Sequence, residues 1–165
     1  YGSAMQELRR RGLAEATSDA VKRGSRLLGV CLGMQLLFET SNEFVTRTGL
    51  RLLPGHVAHL VSPAEVSPHK RATHIGWRTV TPENSGHLSD VFRSTEAQYY
   101  FVHSFAAKSR SVLTHQVAGL TSYCDETFVA AVEMDNILGV QFHPERSGEE
   151  GLRLLGQLYA EPGPG

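Results

Sequence analysis

Two short strings carry the side chains that could do chemistry. Cys31 stands in Gly29-Val30-Cys31-Leu32-Gly33, between the apolar pair Leu27-Leu28 and the helix-forming run Met34-Gln35-Leu36-Leu37-Phe38-Glu39. That order predicts a strand turning sharply into a helix with the thiol at the turn, and small residues two positions to either side let the turn close. A thiol at a helix N-terminus faces unpaired N–H groups and the positive end of the dipole, which favours the thiolate. Far downstream, the apolar run Ile137-Leu138-Gly139-Val140-Gln141-Phe142 delivers His143-Pro144-Glu145. Pro144 biases His143 toward extended backbone, in which residues two apart project to the same side. Glu145 can then orient the His143 ring while the other ring nitrogen faces Cys31. Nucleophile, base and orienting acid of this kind open an amide or ester through a covalent acyl intermediate. Separately, Cys31 reads equally well as a buried packing residue and His143-Pro144-Glu145 as an ordinary strand exit; together they are far more specific.

The elements that must position these residues follow from pattern. Ser3 is placed to cap a helix running to Arg11, Gly12 interrupts, and a second helix runs from about Ala14 to Arg23 before Gly24. The helix after Cys31 turns Met34, Leu36 and Leu37 inward and ends near Thr40-Ser41. Beyond Gly49 the pattern changes to short strands, Val57 to Val61, Ile75 to Val80, Tyr99 to Phe105, Gln116 to Leu120, Phe128 to Met134 and Ile137 to Phe142. Asp135-Asn136 suits a two-residue hairpin turn. Ser62-Pro63, Ser67-Pro68, Thr81-Pro82-Glu83-Asn84-Ser85-Gly86 and Tyr123-Cys124-Asp125-Glu126 read as loops. A closing helix from Glu149 to about Tyr159 puts Leu152, Leu155 and Leu158 on one face, and 161–165 reads as a flexible tail. The order fits one α/β domain over 1–160, a mixed sheet with helices on its faces.

Composition narrows the class. With 165 residues, 41% hydrophobic and 20% charged at a net charge of -1, the chain can bury one core and shows no bias toward nucleic acid. No apolar run approaches the roughly eighteen residues of a membrane span, and no signal peptide opens the chain. Two cysteines make no disulfide framework, and a free reactive thiol suits a reducing cytoplasm. His56 and His59, three apart in an extended segment, face opposite sides and make a poor metal pair. The acidic neighbours of Cys124 oppose a thiolate there. No metal and no cofactor are expected.

The strings GVCLGMQLLFE and GVQFHPE resemble the class I, Cys-His-Glu glutamine amidotransferases. His74-Ile75-Gly76-Trp77, Tyr99-Tyr100-Phe101-Val102-His103-Ser104, Phe128-Val129-Ala130-Ala131-Val132-Glu133 and Glu145-Arg146-Ser147 are similar to segments of the glutaminase subunits of imidazole glycerol phosphate synthase. The likeness runs from Tyr1 to about Tyr159. It implies the flavodoxin-like amidotransferase fold with its first strands missing, because Tyr1-Gly2 resembles the tail end of the family's glycine-rich oxyanion loop. It also implies hydrolysis of glutamine to glutamate and ammonia through a Cys31 thioester, with His143 as acid and base, Glu145 as its orienter and the Leu32 N–H in the oxyanion hole. Ammonia would pass to a synthase (cyclase) subunit in a heterodimer serving histidine biosynthesis in the cytoplasm. By the same resemblance Gln35 and Glu43 bind the substrate glutamine, and Thr121, Ser122 and Tyr123 line its amino-acid end. Trp77, Tyr100 and His103 reach the partner. Thr73 departs from the proline that the family usually carries before His74.

Read from the residues alone, Glu43 serves equally as a solvated acid and 121–123 as a strand end. The aromatics Trp77, Tyr99, Tyr100 and Phe101 serve as sheet core, and His103 as a hydrogen-bonded strand histidine. Another class I amidotransferase, a different Cys-triad hydrolase and a docking fragment without activity stay open as alternatives.

Overall fold

Phe128, Val129, Ala130, Ala131 and Val132 are all fully buried, so the strand they form must lie at the centre of the domain with both faces covered. In the computed structural model, which describes residues 1–61, 66–67, 72–93 and 97–159, they are the middle of β10 (Glu126–Met134). β10 pairs antiparallel with β9 (Val117–Tyr123) and with β11 (Ile137–Val140). β1 (Leu27–Val30) then adds parallel to β11, in register from Leu27 against Ile137 to Val30 against Val140. With β6 (Thr81–Pro82) on the far side, the strand order is β1-β11-β10-β9-β6. Asp135, at φ 51°, turns β10 into β11, while Cys124 and Asp125, at 49° and 66°, turn β9 into β10. Both are two-residue hairpin loops with the left-handed backbone that such loops need.

Two smaller sheets flank this one. β3 (Arg47–Thr48), β2 (Phe38–Ser41), β4 (Leu53–His59) and β8 (Phe105–Ala107) form a four-stranded sheet. β5 (His74–Thr79) and β7 (Gln98–His103) form an antiparallel ribbon. The helices are α1 (Gly2–Arg10), α2 (Leu13–Lys22), α3 (Leu32–Leu37), α4 (His87–Arg93) and α5 (Gly148–Tyr159). β10 feeds two cores. Phe128, Ala130 and Ala131 pack with Tyr99, Phe101, Phe142 and Leu154, whereas Val129 and Val132 pack with Met34, Leu37, Phe38 and Leu53.

Several expectations are corrected. The helix after Cys31 stops at Leu37, and Phe38–Ser41 is a strand, because β4 and β3 offer backbone partners on both sides and bury Phe38 and Ser41. The strand expected from Tyr99 to Phe105 divides at Ser104, and its halves join different sheets. The segment read as a loop through Gly86 holds β6 at its start and leads into α4, whose Leu88, Val91 and Phe92 are buried at helical spacing. Tyr1 rather than Ser3 occupies the N-cap of α1, without a side-chain hydrogen bond. On α5 the buried leucines are Leu154 and Leu158, while Leu152 is exposed, so the inner face follows an i, i+4 spacing. Ser62-Pro63, Pro68 and 161–165 lie outside the described residues.

The sharp turn depends on one of its two glycines. A Cβ on Gly29 would lie 2.7 Å from the Met34 nitrogen and 2.8 Å from Gly33 backbone atoms, whereas a Cβ on Gly33 meets nothing within 4 Å. Gly29→Ala must therefore push backbone apart and is expected to lower stability by about 3 kcal/mol. Gly33→Ala is expected to leave stability unchanged or raise it by about 0.5 kcal/mol. Urea unfolding midpoints of the two variants check this.

Candidate active site

Cys31 leaves the end of β1 at φ 51° and ψ -108°, a backbone state that costs a residue with a Cβ about 1–3 kcal/mol. It is held there from both sides. Its N–H donates to the Val140 carbonyl at 2.8 Å, extending the β1–β11 ladder by one residue, and its carbonyl accepts from the Gln35 N–H at 3.2 Å. The sulfur has two hydrogen-bond donors, the Leu32 N–H and Gln141 Nε2, the latter at 3.6 Å. Burial pushes the thiol up; the Leu32 N–H pulls it down, the Glu145 charge raises it and the Gln141 amide lowers it. The expectation that the helix N-terminus would favour the thiolate is thus outweighed by burial. α3 has only six residues to supply a dipole.

His143 follows Phe142 with the extended backbone that Pro144 demands, φ -104° and ψ 95°. Its N–H donates to the Tyr100 carbonyl at 2.9 Å, which ties it to β7. His143 Nδ1 and Glu145 Oε1 are 2.6 Å apart, as expected, but by a different route. Residues Pro144–Arg146 form a 3-10 turn that folds the carboxylate back onto the ring, in place of an extended segment. Ser147 pins the turn by donating to the His143 carbonyl at 2.6 Å and accepting from the Tyr100 N–H at 3.0 Å. With Nδ1 given to Glu145, Nε2 makes no hydrogen bond among the described residues, and none joins His143 to Cys31.

The other residues singled out in the sequence scatter more widely. Gln35 is buried, and its Nε2 donates to the Phe105 carbonyl at 2.8 Å and to Gln141 Oε1 at 3.0 Å, which leaves Oε1 for a ligand. Glu43 holds the Tyr1 ammonium at 2.6 Å and lines a cavity of about 710 Å³ with Tyr1, Arg9, Phe44 and Arg47; neither Cys31 nor Gln35 lines that cavity. Thr121 Oγ1 donates to the Thr79 carbonyl, Ser122 and Thr127 hydroxyls pair at 3.1 Å, and the Tyr123 hydroxyl donates to the Thr73 carbonyl at 3.3 Å. Trp77 is 44% exposed, its ring edge-on to Tyr100, and the Arg146 guanidinium lies 4.7 Å over the Tyr100 ring. His103 does not share that surface. It is buried, with Nδ1 on the Phe105 carbonyl at 2.9 Å and Nε2 on His74 Nδ1 at 3.2 Å. Among the described residues no three His, Cys, Asp or Glu side chains cluster as metal ligands; His56 binds Thr40 Oγ1 and His59 packs on Phe105.

Two site residues went unnoticed in the sequence. Gln141 is a polar residue inside an apolar strand run, and that mismatch was its signal. Arg146 stacks on Tyr100, and nothing in its spacing foretold the contact.

Comparison with known proteins fits this geometry. The family described as Glutamine amidotransferase class-I matches residues 4–159. Solved structures share the fold: a glutamine amidotransferase at TM-score 0.60 and 18% identity, covering 94% of this chain and 73% of its own, and the glutaminase domain of Trypanosoma brucei CTPS with bound acivicin at 0.59 and 18%, covering 90% and 67%. Fold and family define a class I glutamine amidotransferase. The imidazole glycerol phosphate synthase subunit HisH of Chlorobium chlorochromatii (strain CaD3) is 41% identical over 157 residues, covering 94% of this chain and 73% of its own. That of Salinibacter ruber (strain DSM 13855 / M31) is 42% identical over 166 residues, covering 98% and 73%. Within the class, the chain belongs to the HisH family.

The buried pair His74 and His103 gives the fold a pH dependence. Burial holds His74 down to about 3, helped by the charges of His103 and Arg78, and holds His103 to about 4 against the opposing hydrogen bond to the Phe105 carbonyl, whereas the unfolded chain protonates both near 6.5. Between those limits protons bind the unfolded chain preferentially, so stability falls as pH drops from 7 to 5, on the order of 2 kcal/mol per histidine. His74→Phe is expected to flatten that dependence by a similar amount, read as the difference in urea midpoint between pH 7 and pH 5.

Proposed function

We propose that this chain is the glutaminase subunit of an imidazole glycerol phosphate synthase, with Cys31 as nucleophile, His143 as acid and base and Glu145 as orienter. The observation that carries the reading is the His143–Glu145 pair at 2.6 Å, set two residues beyond Gln141, whose amide meets the Cys31 sulfur, in a HisH-family chain. Glu145 on Nδ1 fixes the ring tautomer and leaves Nε2 to take the thiol proton as the sulfur attacks the carboxamide carbon of glutamine. Burial raises the thiol, so a base that takes its proton during attack is needed, and His143 is placed in that role. The carbonyl oxygen becomes an oxyanion, and the Leu32 N–H supplies one hydrogen bond to it. As the C–N bond breaks, His143 returns the proton to the leaving nitrogen, ammonia departs and a glutamyl thioester remains. A water molecule then gives a proton to His143 and attacks the thioester, and the thiol recovers that proton as glutamate leaves.

Gln35 Oε1, Glu43 and the 121–123 segment hold the substrate in this reading, Glu43 by its α-ammonium. Free ammonia in neutral water is protonated and loses the lone pair that the next reaction needs, so a cyclase subunit must receive it directly. Trp77, Tyr100 and Arg146 offer an outward aromatic and cationic face beside His143, suited to that partner in a heterodimer. The described chain has no helix long and apolar enough to cross a membrane, and the reading assigns it to the cytoplasm.

Covalent labelling by a glutamine-like chloroketone is expected on Cys31 and absent in Cys31→Ala, read by peptide mass spectrometry. Ammonia release from glutamine is expected to rise when the cyclase subunit and its ligand are added. Glu145→Ala should lower it about 10- to 100-fold, and Cys31→Ala should abolish it. A wild-type chain that takes no label and releases no ammonia with the cyclase present would overturn the reading.

A further inference from the structure

Gln141 is completely buried on the apolar path from β11 to His143, a position where a leucine would fill the space without the cost of desolvating an amide. Its backbone is already held by donation to the Ala130 carbonyl at 2.8 Å, so the side chain is not needed to anchor the strand. What the side chain does is make two contacts, accepting from Gln35 and donating to sulfur.

The direction of these contacts is fixed by a single atom. The Phe105 carbonyl can only accept, and it receives Gln35 Nε2 at 2.8 Å. Gln35 therefore turns its NH2 inward, and the same nitrogen meets Gln141 Oε1 at 3.0 Å. Gln141 must then present its own NH2 to Cys31 Sγ, at 3.6 Å. On the other side, the same carbonyl requires a proton on His103 Nδ1, which leaves His103 Nε2 as acceptor for His74 Nδ1–H at 3.2 Å. Neither amide can flip and neither imidazole can change tautomer without placing two donors or two acceptors face to face. A row of oriented donors thus ends on the sulfur.

We infer that Gln141 is a positioning residue for Cys31, its amide holding the sulfur in place and stabilising negative charge on it, with Gln35, the Phe105 carbonyl and His103 locking that amide. The inference rests on Cys31 being the nucleophile proposed above. An N–H donor favours the thiolate over the thiol. The charged group that acts on the sulfur is Glu145, from the segment after β11. β1, α3 and β11 contribute none.

The test is the pH profile of Cys31 alkylation by iodoacetamide in the full chain, resolved from Cys124 by peptide mass spectrometry. Gln141→Met keeps the volume and removes the amide. It is expected to shift the profile upward by about one pH unit and slow alkylation at pH 7.5 about tenfold. Gln35→Met, which frees Gln141 Oε1, is expected to act in the same direction by about threefold, and it carries the test if Gln141→Met does not fold. A structural role alone would leave the profile of the folded protein where it is. Profiles matching wild type in the folded variants, with chloroketone labelling of Cys31 intact in the wild type, would overturn the inference and spare the glutaminase reading. Absence of chloroketone labelling in the wild type would remove that reading and this inference with it.

Discussion

The parallel pairing of β1 with β11 is the constraint on which everything else rests. Its register, Val30 against Val140, puts Cys31 and Gln141 side by side at the exits of neighbouring strands although they are 110 residues apart in the chain. A slip of one residue would turn every side chain of β1 to the opposite face and send the thiol away from Gln141. The register is strongly specified because β11 is buried along its whole length, and because Gly139 lets α3 sit directly on the sheet. A Cβ there would lie 2.8 Å from Val132 and 2.9 Å from Met34. Helix, sheet and nucleophile are set by one contact surface.

A second set of contacts joins the site to the β5–β7 ribbon. β7 turns Tyr100 outward under the Arg146 guanidinium and His103 inward toward the Phe105 carbonyl. The backbone of Tyr100 exchanges hydrogen bonds with His143 and Ser147, so the turn carrying His143 and Glu145 is seated on the same strand. Ser104, where the chain passes from the ribbon to the four-stranded sheet, is the only residue between that strand and Phe105. The surface suited to a partner and the polar interior behind it are two sides of one piece of backbone.

How much of this was legible in the sequence depended on range. Local signals read well: the turn at Cys31, the hairpin at Asp135-Asn136 and both opening helices followed from neighbouring residue types, whereas His143 and Glu145 pair as expected but through a 3-10 turn that the extended reading did not foresee. Features decided by distant partners did not. Phe38–Ser41 holds the strand formers Phe38 and Thr40 but follows directly on a helical run, and only β3 and β4 decide where that helix stops. Ser104 looks like the interior of one strand because the two sheets that claim its flanks are invisible locally. Gln141 showed a polar residue in an apolar run, but not that its partner lay on α3. The ionisation of Cys31 went astray for the same reason, since burial is a property of the whole fold while a helix terminus is a property of a few residues.

The hydrogen bonds that surround the thiol close loops of 70, 106 and 110 residues, from Gln35 to Phe105, Gln35 to Gln141 and Gln141 to Cys31. Contacts of such span carry the entropic cost of bringing far parts of the chain together, which the packing of the whole sheet must offset. Gln141 follows Cys31 by 110 residues, so a chain made from its N-terminus holds the thiol long before that amide exists. The thiol's special environment arrives only when the C-terminal third has folded back, which ties the appearance of a tuned sulfur to the completion of the domain.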